Sequence, residues 1–135
     1  MNVPIQMEIV SEISNHEGGI SINRLVQKMQ YKVSRVTLLK ELRRLIENGY
    51  VLVKSDPSHK QRKLLQLGEE VRRVAEEIKA LELDILGDPL QNLSQAIRAY
   101  IEKLQKIRDG WIKEFARMRM RHNLNKMLEI VEEVK

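Results

Sequence analysis

The stretch SINRLVQKMQYKVSRVTLLKELRRLIENG, residues 21–49, decides the fold. It predicts two helices joined by the short link QYKV at residues 30–33. Ser34 is a good N-cap for the second helix, because its hydroxyl can accept hydrogen bonds from the free amides of the first turn. Gly49 suits the left-handed conformation that ends many helices. Two short helices joined in this way are typical of a helix-turn-helix, in which the second helix enters the major groove of DNA.

The second helix has two chemically different faces. With successive residues placed about 100° apart, five aliphatic side chains fall on one arc of about 120°: Leu38, Leu39, Leu42, Leu45 and Ile46. The opposite side carries Val36, Thr37, Lys40, Arg43 and Arg44. A helix that packs on a core and lies against DNA has this pattern, and so does an ordinary amphipathic surface helix.

Supporting elements are predicted on the N-terminal side. Residues 4–15 predict a helix with Pro4 in its first position. Its apolar face comprises Ile5, Ile9, Val10 and Ile13. The first helix of the pair starts at Ser21 or Ile22, and its core side comprises Ile22, Leu25, Val26 and Met29. Ile20 fits a very short strand before it.

A predicted hairpin follows directly after the helix pair. Residues 50–53 and 62–67 predict two strands. The polar segment KSDPSHKQ at residues 54–61 predicts the turn between them, with Asp-Pro as a turn signal. The turn contains Lys54, His59 and Lys60, and Arg62 and Lys63 follow it directly. Asp56 is the acidic residue among them. A basic hairpin tip can lie along a phosphate backbone or enter the minor groove, although a solvated loop has the same composition.

Three segments carry a family resemblance: SRVTLLKELRRLIENGYV at 34–51, DPSHKQRK at 56–63 and LQLGEEVRR at 65–73. Through them, residues 4–73 resemble a winged-helix transcriptional regulator of the MarR type, in the broad sense that includes small archaeal regulators. Leu45 is followed after three residues by Gly49-Tyr50-Val51, as in that family, and Asp56 and Arg62 match its wing. The family usually has Leu-Thr where this chain has Leu67-Gly68, and often has glycine where it has Val71.

The resemblance implies a homodimer that places helix 34–48 of each copy in successive major grooves, about 34 Å apart. We expect base-edge contacts from Thr37, Lys40 and Arg44, and phosphate contacts near Arg35 and Arg43. The wing at 54–63 would hold the DNA backbone. The complete set of predicted DNA-binding residues is Ser34, Arg35, Thr37, Lys40, Arg43, Arg44, Lys54, Lys60, Arg62 and Lys63.

The C-terminal half predicts further amphipathic helices. Glu69 and Glu70 suit a helix N-terminus, and apolar residues then recur in coiled-coil-like steps: Val71, Val74, Ile78, Leu81 and Ile85. Gly87-Asp88-Pro89 interrupts this helix. The stripe resumes at Leu93, Ile97, Tyr100, Leu104, Ile107, Trp111, Phe115 and Met118, and more loosely at Leu124, Met127, Leu128, Val131 and Val134. Gly110 marks either a bend or a boundary between two helices.

A single helix over residues 89–135 would be about 70 Å long. It could not bury its stripe on a domain of this size, so it needs a partner chain or must fold back. We therefore divide the chain into a winged helix-turn-helix domain at 1–68 and, by the resemblance, a helical dimerisation region at 69–135. The predicted fold class is mainly α with a small β-hairpin wing.

A second basic cluster comprises Arg117, Arg119, Arg121, His122 and Lys126. It is either a solvated helix face or a further contact with phosphate or an acidic partner.

Composition narrows the functional classes. The 135 residues include 24 Lys and Arg against 19 Asp and Glu, and the net charge of +5 favours a polyanionic partner. The absence of cysteine excludes thiol catalysis and cysteine-ligated zinc, and His16, His59 and His122 lack the spacing of a metal site. There is no catalytic constellation, so we predict no enzymatic activity, no metal and no cofactor. No membrane-spanning run or signal-peptide pattern is present, and we expect a cytoplasmic protein without membrane partners.

Three functional hypotheses remain open. The first is a homodimeric, sequence-preferring transcriptional regulator bound to double-stranded DNA. The second is a non-specific DNA-coating or chromatin-like protein, whose contacts would be almost entirely to phosphate. The third is a winged-helix protein-interaction module whose helical tail docks into a larger assembly. Sequence-selective retention of duplex DNA distinguishes the first from the other two.

Overall fold

The computed structural model describes residues 2–85 and 89–133, with the backbone alone at residues 60, 81–85, 89–92 and 131. The chain divides into two compact units, Met1–Arg72 and Arg73–Lys135. The division falls four residues beyond the predicted boundary at residue 68. The predictions for Gly87, Asp88 and Val134, and those for the side chains of Lys60, Leu81, Ile85 and Val131, lie outside the described part of the chain.

The first unit is a winged helix. Its three helices are α1 (Val3–Ser14), α2 (Ile22–Met29) and α3 (Arg35–Glu47), and its three strands are β1 (Ile20–Ser21), β2 (Val51–Asp56) and β3 (His59–Leu67). The strands form one antiparallel sheet in the order β1-β3-β2. The predicted helix-turn-helix, the short strand at Ile20 and the hairpin that follows are therefore confirmed.

Local side-chain chemistry sets the ends of the helix pair. The Ser21 hydroxyl accepts a hydrogen bond from the Arg24 N–H at 3.2 Å, and the Ser34 hydroxyl accepts one from the Thr37 N–H at 3.3 Å. Each serine thereby satisfies an amide that has no partner inside its helix. Gly49 follows α3 with a φ of 78°, in the left-handed region. Both predicted ends of α3 are confirmed.

The core of the first unit is aliphatic. It is formed where α1 packs against α3 and β3, and where α3 packs against β2. Its buried side chains are Met7, Ile9, Val10 and Ile13 from α1, Leu25 and Met29 from α2, Leu38, Leu42 and Leu45 from α3, and Ile20, Val51 and Leu65 from the sheet. Leu39 and Ile46, at one edge of the predicted arc, are half-buried. The core face predicted for α3 is confirmed.

The turn of the hairpin is tighter than predicted. Residues 54–61 were expected to form it, but β2 continues to Asp56 and β3 begins at His59, with a register irregularity between Ser55 and Asp56. The Asp56 carboxylate accepts hydrogen bonds from the Ser58 N–H at 2.9 Å and from the Ser58 hydroxyl at 2.7 Å. This local closure needs only Pro57 and Ser58 between the strands, so the neighbouring polar residues join the ladder.

Gly68 lies where two stretches of backbone meet. Its N–H donates to the Tyr50 carbonyl at 2.7 Å. A Cβ atom added at Gly68 would overlap the carbonyl oxygen of Gly49. The end of β3 can therefore approach the end of α3 only because residue 68 has no side chain.

The second unit is helical. Helix α4 (Glu69–Ile85) begins in the first unit and continues into the second, which also contains α5 (Pro89–Lys106) and α6 (Gly110–Glu133). The Asp109 carboxylate caps α6 by accepting from the N–H groups of Trp111 at 2.9 Å and Ile112 at 3.1 Å. Residues 89–133 therefore form two helices, and Gly110 marks the boundary between them. No described helix has the length and apolar character needed to cross a membrane.

The packing face of α5 is offset from the predicted stripe. Ala96 and Tyr100 are buried, whereas Ile97 is 42% exposed. Helix α5 packs against α6. The Asn123 amide donates to the Tyr100 hydroxyl at 3.4 Å, and both side chains are buried. Phe115 and Met127 of α6 are buried as predicted, but Leu128 is largely exposed.

Candidate nucleic-acid interface

One stripe of α3 points away from the core. Val36, Lys40 and Arg43 fall within about 60° of one another on a helix with about 100° between residues, opposite Leu38. All three are exposed, and Arg35 is exposed beside them. Because Leu38, Leu42 and Leu45 hold the other side in the core, this stripe is presented on a fixed element. A single α-helix fits the major groove of B-DNA.

Two predicted contact residues are engaged in the cap of α3. The Ser34 hydroxyl donates to the Thr37 Oγ1 at 3.0 Å while it accepts from the Thr37 N–H. Ser34 is exposed and Thr37 is half-buried. Both hydroxyls therefore help to fix the first turn of the helix.

A buried carboxylate interrupts the core face of α3. Glu41 has only 4% of its side chain exposed and lies 2.8 Å from the Arg44 guanidinium. Its Oε2 accepts a hydrogen bond from the Gln6 side-chain amide at 2.8 Å and from the Asn2 N–H at 3.4 Å. This network connects the start of α1 to the middle of α3. Sequence reasoning missed it, although Glu41 lies only about 60° from Leu38 on the helix.

The network determines the charge of Glu41 and the surroundings of Arg44. Burial by itself would raise the pKa of Glu41, but the hydrogen bonds from Gln6 and Asn2 and the positive charge of Arg44 together hold that pKa below its ordinary value of 4.5. Glu41 is therefore ionised at neutral pH. Arg44, predicted to contact base edges, is only 33% exposed and is bound to this carboxylate. Lys40 is the more accessible of the two cations.

Replacing Glu41 with glutamine is expected to lower the free energy of unfolding at neutral pH by about 1–3 kcal/mol. The amide removes the charge that Arg44 pairs with. Because the pKa of Glu41 is lowered in the folded protein, its stabilisation is complete above the unfolded pKa and is lost as the pH falls through the folded pKa. The difference between the unchanged protein and Glu41→Gln should therefore shrink between about pH 6 and about pH 3, as measured by urea denaturation at each pH.

Glu8 provides the matched control for that experiment. Its carboxylate lies 3.1 Å from the Lys32 ammonium, but the two side chains are 52% and 60% exposed. Glu8→Gln should change the free energy of unfolding by less than about 1 kcal/mol, because water already solvates both charges. Equal losses in Glu8→Gln and Glu41→Gln would contradict the role assigned to the buried carboxylate.

The wing presents a second set of cations. Lys54, Arg62 and Lys63 are exposed, and the Lys63 ammonium lies 3.4 Å from the Ser55 hydroxyl. Asp56 lies at the turn, where the hydrogen bonds from Ser58 hold the pKa of its carboxyl below the ordinary value. The negative charge of Asp56 therefore persists beside these cations. Lys60, also predicted to bind DNA, has a side chain outside the described part of the structure.

Tyr31 and Val36 are large side chains that remain in water near the N-terminus of α3. Tyr31 is 91% exposed and Val36 is 79% exposed. The neighbouring Lys32 pairs with Glu8 of α1 through two exposed side chains. Neither residue was among the predicted contacts, because that prediction selected cations and hydroxyls. The sequence could have identified both residues, because each is an apolar or aromatic residue that lies outside the aliphatic face of α3.

The basic cluster on α6 is exposed at Arg117, Arg121, His122 and Lys126, whereas Arg119 is half-buried. The Arg117 guanidinium lies 3.2 Å from the Glu114 carboxylate one turn earlier. Within the described residues, no group of three or more histidine, aspartate or glutamate side chains is placed to hold a metal ion. A second ion pair of this unit joins Glu77 of α4 to Lys103 of α5.

Comparison with known proteins finds two solved structures that are similar to this chain. No protein-family model matches the sequence, and no curated protein matches it. The adhesin competence repressor AdcR of Streptococcus pyogenes is similar over 96% of this chain and 77% of its own, with 16% identity and a TM-score of 0.45. A SlyA-like transcription regulator of Listeria monocytogenes is similar over 97% of this chain and 77% of its own, with 18% identity and a TM-score of 0.41.

Proposed function

We propose that the protein is a homodimeric, sequence-preferring DNA-binding transcriptional regulator. The observation that carries the proposal is the exposed stripe of α3, Val36, Lys40 and Arg43, opposite a fully packed core face. Cationic side chains on such a helix can contact phosphates at the groove edge and hydrogen-bond to guanine. Helix α3 would enter the major groove, as in other helix-turn-helix proteins.

The wing supplies the second part of the proposed interface. Lys54, Arg62 and Lys63 are exposed on a hairpin that leaves the core directly after α3. Phosphate contacts from a hairpin fix the register of a protein on the duplex without reading its sequence. The wing would therefore contribute affinity and salt dependence, and α3 would contribute sequence preference.

Dimerisation is assigned to the second unit. Ile97 and Ile101 lie one helical turn apart on α5 and are 42% and 49% exposed. Burying two such side chains against a second copy would favour association by the hydrophobic effect. Two copies would present two α3 helices, and the spacing of the half-sites would report the geometry of the dimer.

The test of DNA binding is selection from a pool of genomic duplexes at moderate salt, followed by sequencing of the retained DNA. Enrichment of a short inverted repeat is the expected result. Retention without enrichment would replace the proposal with a DNA-coating role, in which affinity falls steeply with salt and ignores sequence. No retention at low salt would indicate that the winged helix serves as a protein-interaction module.

Replacing Ile97 and Ile101 together with glutamate is expected to convert the dimer to a monomer, because two charges cannot be buried in an apolar contact. Sedimentation velocity measures the oligomeric state directly. Arg98→Glu is the matched control, since Arg98 is an exposed residue of the same helix. A double variant that sediments like the unchanged protein would contradict the assigned interface.

A further inference from the structure

We propose that Val36 recognises the C5 methyl group of a thymine in the target site, and so determines specificity at that base pair. The proposal rests on the proposed function, which brings α3 into the major groove. It goes beyond that function by assigning one base identity to one side chain. It also predicts that target sites contain a thymine at a fixed distance from the base contacted by Lys40.

The first argument is the position of Val36. It is the second residue of α3, which spans Arg35–Glu47. In helix-turn-helix proteins the N-terminal residues of the recognition helix contact base edges. Val36 also lies on the same outward stripe as Lys40, one helical turn before it. A helix that places Lys40 at the groove edge therefore directs Val36 toward the groove.

The second argument is the absence of a structural reason for valine at this position. Val36 is 79% exposed and contributes nothing to the core. Valine is also a poorer helix former than alanine, because its branched side chain is restricted at χ1. The side chain therefore neither packs nor favours the helix, and a contact outside the chain is the remaining use for its two methyl groups.

The third argument is chemical complementarity. Valine has no hydrogen-bond donor or acceptor, so it cannot read the polar edges of bases in the major groove. The thymine C5 methyl is the apolar group exposed there, and apolar side chains contact it. The pairing is stabilised by removing two apolar surfaces from water. The flanking cations Arg35 and Lys40 are exposed and would keep the helix close enough for that contact.

The test combines a change in the DNA with a change in the protein. In the sequence enriched from the genomic pool, each thymine is replaced in turn by deoxyuridine, which lacks only the C5 methyl. Loss of one buried methyl should weaken binding by about fourfold at one position in each half-site. The same replacement should have a clearly smaller effect on Val36→Ala, which lacks both γ-methyl groups, whereas Val36→Ile, which keeps the branch at Cβ, should retain the sensitivity.

The outcomes separate this inference from the proposed function. If a sequence is enriched but every deoxyuridine replacement affects the unchanged protein and Val36→Ala equally, the thymine assignment is wrong and the DNA-binding role stands. If no sequence is enriched, the thymine assignment and the sequence-preferring DNA-binding role are both wrong. Thermal unfolding of Val36→Ala should match or slightly exceed that of the unchanged protein, since alanine is the better helix former.

Discussion

Replacing Lys40 and Arg43 together with alanine is expected to weaken DNA binding by at least about tenfold at moderate salt. Both side chains are exposed on the outward stripe of α3, so their removal should leave the core unchanged and the melting temperature within about 4 °C. The slope of log affinity against log salt should also become shallower by about 0.9 for each phosphate contact that is lost. Fluorescence anisotropy with a labelled duplex across a salt series measures both effects.

The matched control removes two positive charges from α6 instead of from α3. Arg121 and Lys126 are exposed on α6, and their joint replacement by alanine lowers the net charge equally. If position matters, this variant should retain nearly full affinity and salt slope. Equal losses in the two double variants would mean that binding follows net charge alone, or that the α6 cluster is itself a DNA contact.

Replacing Gly68 with alanine is expected to lower the free energy of unfolding by about 1–3 kcal/mol or more. The new Cβ would overlap the Gly49 carbonyl oxygen, which belongs to the backbone and cannot rotate away. Relief requires the end of β3 to move from the end of α3, which would lengthen the hydrogen bond from the Gly68 N–H to the Tyr50 carbonyl. Chemical denaturation followed by circular dichroism measures the loss.

Gly49→Ala separates lack of space from backbone strain. Gly49 has a φ of 78° and no heavy atom within 4 Å of an added Cβ. Its replacement should therefore cost only the strain of a left-handed alanine, about 1–2 kcal/mol. A smaller loss in Gly68→Ala than in Gly49→Ala would contradict the overlap assigned to Gly68. The pairing register of β2 and β3 should change only in Gly68→Ala, because only that variant forces the end of β3 to move.

The features that sequence predicted well are those with a local cause. Ser34 and Gly49 end α3 through interactions within a few residues, and the spacing of Leu38, Leu42 and Leu45 follows from helix geometry alone. The winged helix follows from the order of such elements. Gly110 was also recognised as a possible helix boundary, and the Asp109 cap accounts for it.

The features that sequence predicted poorly depend on partners distant along the chain. Glu41 is buried because Gln6 and Asn2, more than 30 residues earlier, supply its hydrogen bonds. Arg44, which the sequence predicts to contact DNA, pairs with this carboxylate, and the sequence pattern did not reveal that pair. On α5, Tyr100 is buried and bonded to Asn123 of α6, whereas Ile97 is half exposed. Apolar periodicity finds a stripe but does not say which edge of it meets a neighbour.

The central position of β3 has a consequence for the motions of the wing. Leu64 and Leu65 are paired on both sides, with β1 and with β2, whereas the strand from His59 to Lys63 has β2 alone. Opening the root of the hairpin must break two ladders at once, but opening its tip breaks only one. Backbone amides at the root should accordingly exchange with solvent more slowly than those at the tip. We therefore expect the wing to combine a stable root with a tip that opens more readily.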